Sequence, residues 1–146
     1  MKTIITIFII SLLFMFSCTQ QNRKLPQGAW QLVHVQGIFG DTSVSLYPGR
    51  YNGGDIKMWT ENNFVFVGHY KNDTSFFDNY GGGTYKLEGN KYEESIQYHA
   101  DTISVGKRIK MLMELKNDTL VQTWPVDDTG KIIEKGYYVE KYVRIK

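Results

Sequence analysis

The residues that could do chemistry in this chain are few: one inward-phased acid, three imidazoles, one thiol and a set of apolar aromatic and thioether side chains. In the run Lys91–His99, Glu94 alternates with Tyr92, Ile96 and Tyr98, so strand periodicity puts a carboxyl on one face with two phenols. If that face looks inward, the carboxylate must be paired or neutral, because an isolated buried charge costs several kcal/mol. Glu94 is then either an acid or orienting group for a bound molecule, or half of a structural pair with an Arg, Tyr or His across the interior, which is the commoner case. The opposite register would place it in solvent. His34, His69 and His99 lie roughly 30 residues apart and have no metal-ligand spacing, so no metal is expected. His34 shares its alternation with Trp30 and Leu32 and is a candidate to face the interior. Gly81-Gly82-Gly83 lacks the following helix and the Lys-Ser/Thr pair of a phosphate loop, and reads as a hairpin end or a bulge. No Ser-His-Asp arrangement and no cofactor fingerprint occurs, so neither catalysis nor a cofactor is expected.

Apolar side chains are the other resource. Phe64, Phe66, Tyr85, Met111, Met113 and Trp124, with Trp59, could line a pocket in which Glu94, Tyr98 or His34 fixes the orientation of a ligand. Ordinary core packing uses the same residue types, and the choice turns on whether the interior is filled.

The elements that must position these residues are strands. Ten Tyr, eight Phe and three Trp are typical of β-rich chains, and short alternating runs recur between turn signals with no helical stripe. Gly28–Phe39 opens the series. Residues 40–54 read as loop with one short strand at most; Asp55–Thr60 and Phe64–Tyr70 flank Glu61-Asn62-Asn63. Thr84–Glu88 and Lys91–His99 flank Gly89-Asn90, a loop suited to positive φ. Lys107–Leu115, Leu120–Trp124 and Tyr137–Ile145 follow, with Gly130–Lys135 left as a helical turn or a loop. In Phe64–Tyr70 the inward set is either Phe64, Phe66 and Tyr70 or Val65, Val67 and His69, because a one-residue slip exchanges the faces. About eight strands in one antiparallel meander favour closure into an up-and-down barrel, which removes exposed edges.

The N-terminus is organised differently. Lys2 precedes an uncharged run, Thr3–Ser17, rich in Ile, Leu and Phe. That run is shorter than the roughly 20 residues of a spanning helix and has the layout of a signal peptide. Met15-Phe16-Ser17-Cys18 resembles a bacterial lipobox, in which the cysteine becomes the lipidated first residue of the mature chain. Cys18 is the chain's only cysteine, so no intrachain disulfide is available. The expected organisation is signal peptide 1–17, lipidated Cys18 with a polar tether to residue 27, and one β-barrel domain over 28–146. The acyl chains would hold the protein to a membrane. Thr19 stands where an Asp would resemble an inner-membrane retention signal, and no acidic cluster resembling a surface-export signal follows. The periplasmic leaflet of the outer membrane is therefore the expected location. The charge of the chain is +2 and no basic patch stands out, which argues against a nucleic-acid partner.

Gly28-Ala29-Trp30 resembles the Gly-x-Trp that opens the first strand of lipocalins, and Tyr142-Val143-Arg144-Ile145 has a basic residue in the last strand. The stretches Phe64–Val67 and Gly82–Tyr98 resemble the central part of a family of bacterial lipocalin-like (calycin) lipoproteins, and the likeness runs from about Leu25 to the C-terminus. The resemblance implies an eight-stranded up-and-down barrel in which Trp30 plugs the closed end and Arg144 packs against it. It implies no agreed activity, since fold does not carry function. The function expected is a membrane-anchored protein binding a small apolar ligand in its barrel. The competing expectation is an envelope interaction module whose barrel is filled by its own side chains and whose surface docks to a protein partner.

Overall fold

The structure, a computed structural model, describes residues 26–146. The signal segment and Cys18 lie outside the described residues. Nine strands form one sheet: β1 (Gly28–Phe39), β2 (Thr42–Tyr47), β3 (Asn52–Trp59), β4 (Asn63–Lys71), β5 (Phe76–Glu88), β6 (Lys91–His99), β7 (Arg108–Lys116), β8 (Thr119–Trp124) and β9 (Tyr137–Arg144). Every neighbouring pair is antiparallel, and β9 returns to β1 from Trp30↔Arg144 to Ile38↔Tyr137. The result is a closed eight-stranded barrel with one extra strand. That strand is β2, which pairs with the upper half of β1 (Val35–Phe39), while β3 pairs with its lower half (Gly28–Gln31).

One difference from the sequence reading concerns strand length. β5 begins at Phe76, well before Thr84, because Phe76–Gly83 pairs along the whole of β4 despite its three consecutive glycines. Of the two alternatives for residues 130–135 the structure has the loop, in which Ile132 makes an isolated bridge to Val126. Among the described residues, the single helical element is a 3-10 turn over Thr102–Ser104.

Two bulges decide which way side chains point. Between β1 and β9 the register shifts between Leu32 and His34, so Val33 is the extra residue and the alternation changes phase. Between β5 and β6 it shifts between Gly82 and Gly83, which face Tyr98 and Ile96 and leave Gln97 over. The glycines are required here. A Cβ on Gly83 would sit 2.0 Å from the Ser95 carbonyl oxygen, and one on Gly81 would sit 2.6 Å from the Phe66 ring. Gly81-Gly82-Gly83 is therefore the partner of a bulge in mid-strand, and it lets β5 pass close to both neighbours.

The lower end of the barrel is solid. Trp30, Trp59, Phe64, Tyr92, Met113, Leu120 and Tyr142 are each at most 4% exposed. Trp30 donates its indole N–H to the Pro26 carbonyl at 2.7 Å. The Arg144 guanidinium lies 4.1 Å from the centre of the Trp30 ring and donates to the Gln27 carbonyl at 2.8 Å. Trp59 meets Tyr142 edge-on. A large, well-packed aromatic layer of this kind supplies hydrophobic stabilisation and a sealed floor for what lies above it.

Candidate ligand-binding site

Above the floor the interior becomes polar. β3 sends Asp55 and Lys57 inward, in phase with Trp59; β6 sends Glu94, β8 Gln122 and β9 Glu140. Lys57 Nζ stands 2.6 Å from Glu94 Oε1 and also donates to Gln122 Oε1 at 3.2 Å. The Tyr92 hydroxyl donates to Glu94 at 2.9 Å and accepts from the Trp59 indole at 2.7 Å. The ammonium is further surrounded by the rings of Trp59, Phe64 and Phe66 at 5.2, 5.3 and 5.9 Å. Gln122 is fully buried, and its Nε2 has no hydrogen-bond partner among the described residues.

A second acidic group lies beyond this pair. Glu140 accepts from the Trp124 indole at 2.9 Å and from the Tyr142 hydroxyl at 2.6 Å. Asp55 is 5% exposed. Burial, and then the charge of Glu140, raise its carboxyl from 3.8 to about 6, against the opposing pull of the Tyr70 hydroxyl and Lys57. Burial likewise holds the phenols of Tyr92 and Tyr142 well above their ordinary range, with Glu94 and Glu140 respectively adding to the effect.

This polar belt opens onto a cavity of about 430 Å³. Leu32, Val35, Phe66, Ile96, Ile109 and Met111 form its apolar walls, and Asp55, Lys57, Glu94 and Glu140 its charged side. Tyr70, Trp124 and Tyr138 also line it, as do Tyr47, Tyr51, Phe77 and Asn79. A volume of this size, mostly apolar with a few convergent polar groups, falls in the range of small-molecule sites.

The sequence-derived candidates separate into three groups. Phe66, Glu94, Met111 and Trp124 line the cavity. Phe64 and Met113 are packed into the floor, and Tyr85 lies at that end as well, its ring 5.3 Å from Tyr92 and its hydroxyl donating to the Thr60 carbonyl. His34 and Tyr98 do not face the cavity. The bulge at Val33 pairs His34 with exposed Lys141 on the outer face, and Val35 takes the inward place. The bulge at Gln97 turns Tyr98 outward, where it is 70% exposed, and brings His99 in. In β4 the inward set is Phe64, Phe66 and Tyr70; Val65 and Val67 are exposed. Glu94 has a Lys as its partner from across the barrel, together with Tyr92 from its own strand.

Sequence reasoning missed Asp55, Lys57, Tyr70 as a polar neighbour, Gln122 and Glu140. A signal was present for most of them. Asp55 and Lys57 alternate with Trp59, and Gln122 with Leu120 and Trp124, residues whose apolar character already marked the inward face. Among the described residues no group of three or more His, Cys, Asp or Glu side chains converges as a metal site would require. Searches of protein-family models, curated proteins and solved structures find no match to this chain.

Proposed function

We propose that this protein is a membrane-anchored, lipocalin-like lipoprotein that carries a small, mostly apolar molecule in its barrel. One observation carries the reading: an unfilled interior of about 430 Å³, sealed below by the Trp30 layer and walled by aliphatic, Met and aromatic side chains. A ligand burying about 200 Å² of apolar surface there gains about 5 kcal/mol at 25 cal/mol per Å², before the cost of immobilising it. Asp55, Lys57, Glu94 and Glu140 on one side of the cavity give such a ligand a fixed orientation. The anchor is Cys18, and the location the periplasmic leaflet of the outer membrane; the apolar run before Cys18 and the residues after it support both.

Native mass spectrometry of the protein, purified gently from the envelope of its own host, tests the carrier reading. An extra mass that disappears on denaturation is the expected result. A clean mass, together with no uptake of any small amphiphile, would overturn it. Cys18→Ala tests the anchor: the variant moves to the soluble fraction if Cys18 carries the lipid, and stays with the membrane if it does not.

A second reading, an envelope module that docks a protein partner, is favoured by a different feature. Met58, Val65, Val67, Tyr80 and Tyr98 are 41–70% exposed on the outer faces of β3 to β6. Met58 pairs with Val65, Val67 with Tyr80, and both Val65 and Tyr98 with Gly82, so they form one strip. A photoreactive side chain at Val67 that captures one protein in cells, with capture lost in Val65→Lys, would support this reading.

A further inference from the structure

We infer that the barrel is built for a ligand with a protonated amine at one end, held between Asp55 and Glu140 with its apolar remainder among Ile109, Met111 and the aromatic walls. This rests on the carrier reading and adds the chemical class of the cargo.

Charge bookkeeping inside the barrel leads there. The cavity is lined by three carboxylates, Asp55, Glu94 and Glu140, and by a single ammonium, Lys57. Lys57 is committed to Glu94 at 2.6 Å. Arg144, the basic group nearest the opposite end, lies against Trp30 and does not line the cavity. His99 does line it, but its Nδ1 accepts from the backbone N–H of Asp101. Asp55 and Glu140 therefore line the cavity without an ion-pair partner among the described residues. Glu140 is served by neutral donors, the Trp124 indole and the Tyr142 hydroxyl, each oxygen keeping a free lone pair. Asp55 makes no ion pair among the described residues, although it is 5% exposed and lines the cavity.

Such an arrangement discriminates between ligand classes. A neutral apolar molecule would expel water from both carboxylates and give nothing back, and a carboxylate ligand would add a further negative charge. An ammonium supplies three donors and the missing positive charge, in a site where charge-assisted hydrogen bonds are strong. Tyr70, Trp124 and Tyr138 line the same cavity. A hydrated metal ion fits poorly, because the walls are mostly apolar and no third acidic or imidazole ligand converges with these two.

Calorimetric titration with octylamine, octanol and octanoate at about pH 7.5, where an aliphatic amine is fully protonated, tests the inference with one tail and three head groups. Octylammonium is expected to bind roughly tenfold or more tighter than octanol, with octanoate weakest. In Asp55→Asn the preference for the amine over octanol is expected to be lost, and a cooperative thermal melt shows that the variant is folded. Equal binding of amine and alcohol by the wild-type protein, or a preference for octanoate, would overturn the amine assignment and leave the carrier reading standing. If none of the three binds, the amine assignment falls, and the native mass spectrum decides the carrier reading separately.

Discussion

Glu94→Gln removes one charge from a pair whose side chains are only 4% and 6% exposed and whose nitrogen and oxygen stand 2.6 Å apart. Breaking a buried pair at one partner costs about 3–5 kcal/mol, because the remaining charge keeps its desolvation penalty without its compensation. The two partners are not equivalent. With Glu94 neutralised, Lys57 still donates to Gln122 and still lies against the rings of Trp59, Phe64 and Phe66. With Lys57→Met, Glu94 retains only the Tyr92 hydroxyl, and Gln122 loses the donor to its Oε1 in a side chain whose Nε2 already lacks a partner. Glu94→Gln is therefore expected near the lower end, about 3 kcal/mol, and Lys57→Met higher, about 4 kcal/mol. The double variant removes both charges of the pair and leaves neither uncompensated, so it should fall within about 2 kcal/mol of wild type rather than the roughly 7 kcal/mol of simple addition. Urea unfolding followed by tryptophan fluorescence reads all four corners of the cycle. With a slope of about 1.5 kcal/mol per molar, Glu94→Gln lowers the midpoint by about 2 M. Additive single effects, each below about 1 kcal/mol, would refute the reasoning: the pair would then be screened by water reaching it from the cavity.

Three other perturbations have definite expected outcomes. The Asp55 carboxyl is raised from 3.8 to about 6 in the folded protein, so the native state holds a proton that the unfolded chain releases, and stability falls as pH rises through that window. Asp55→Asn, facing Glu140, Tyr70 and Lys57, should remove this slope and raise stability at about pH 8 by up to about 3 kcal/mol; thermal melts between about pH 4.5 and pH 8 check it, and a loss of stability at the alkaline end would contradict it. Gly83→Ala should lower the melting temperature sharply or prevent folding, since the new methyl group would meet the Ser95 carbonyl oxygen at 2.0 Å and that backbone belongs to the bulge. Tyr98→Ser should change unfolding free energy by no more than about 0.5 kcal/mol and leave ligand uptake intact, because this side chain is on the outer face; a large loss of uptake would return it to the interior.

An antiparallel series closing into a barrel was legible because most runs from Gly28 to Arg144 carry their own period-two signal and turn residues, whereas Thr42–Tyr47 read as little more than loop. The errors at His34 and Tyr98 share one physical origin. Alternation propagates a face assignment along a strand, and a single extra residue reverses it for everything beyond. Val33 and Gln97 are such residues, and neither type marks a bulge on its own. The glycines opposite Gln97 were a signal of sorts, since three in a row inside a strand call for close backbone approach. Phe76–Gly83 was lost for the converse reason: glycine carries no side chain to show alternation, and only the pairing with β4 holds that half of β5 straight. The polar belt went unread because Lys and Asp count as outward signals when taken by type. By phase, Asp55 and Lys57 belong with Trp59.

The packed floor and the cavity occupy different heights in this barrel, and the polar belt lies between them. The floor around Trp30 satisfies every criterion of a good core, with its indole hydrogen-bonded and Arg144 stacked on its ring. One layer up, Gln122 keeps an amide nitrogen unsatisfied, and Asp55 is held at a carboxyl pKa that destabilises the fold at neutral pH. Hydrophobic residues of similar size at these positions would be neutral or stabilising. Folding alone therefore does not account for these polar side chains, whereas a ligand in the volume above them, as proposed, would give them a role. The Lys57–Glu94 pair then has a further role. By neutralising one carboxylate it leaves the acidic surplus on the Asp55–Glu140 side, so that charge as well as shape gives a bound molecule a head and a tail.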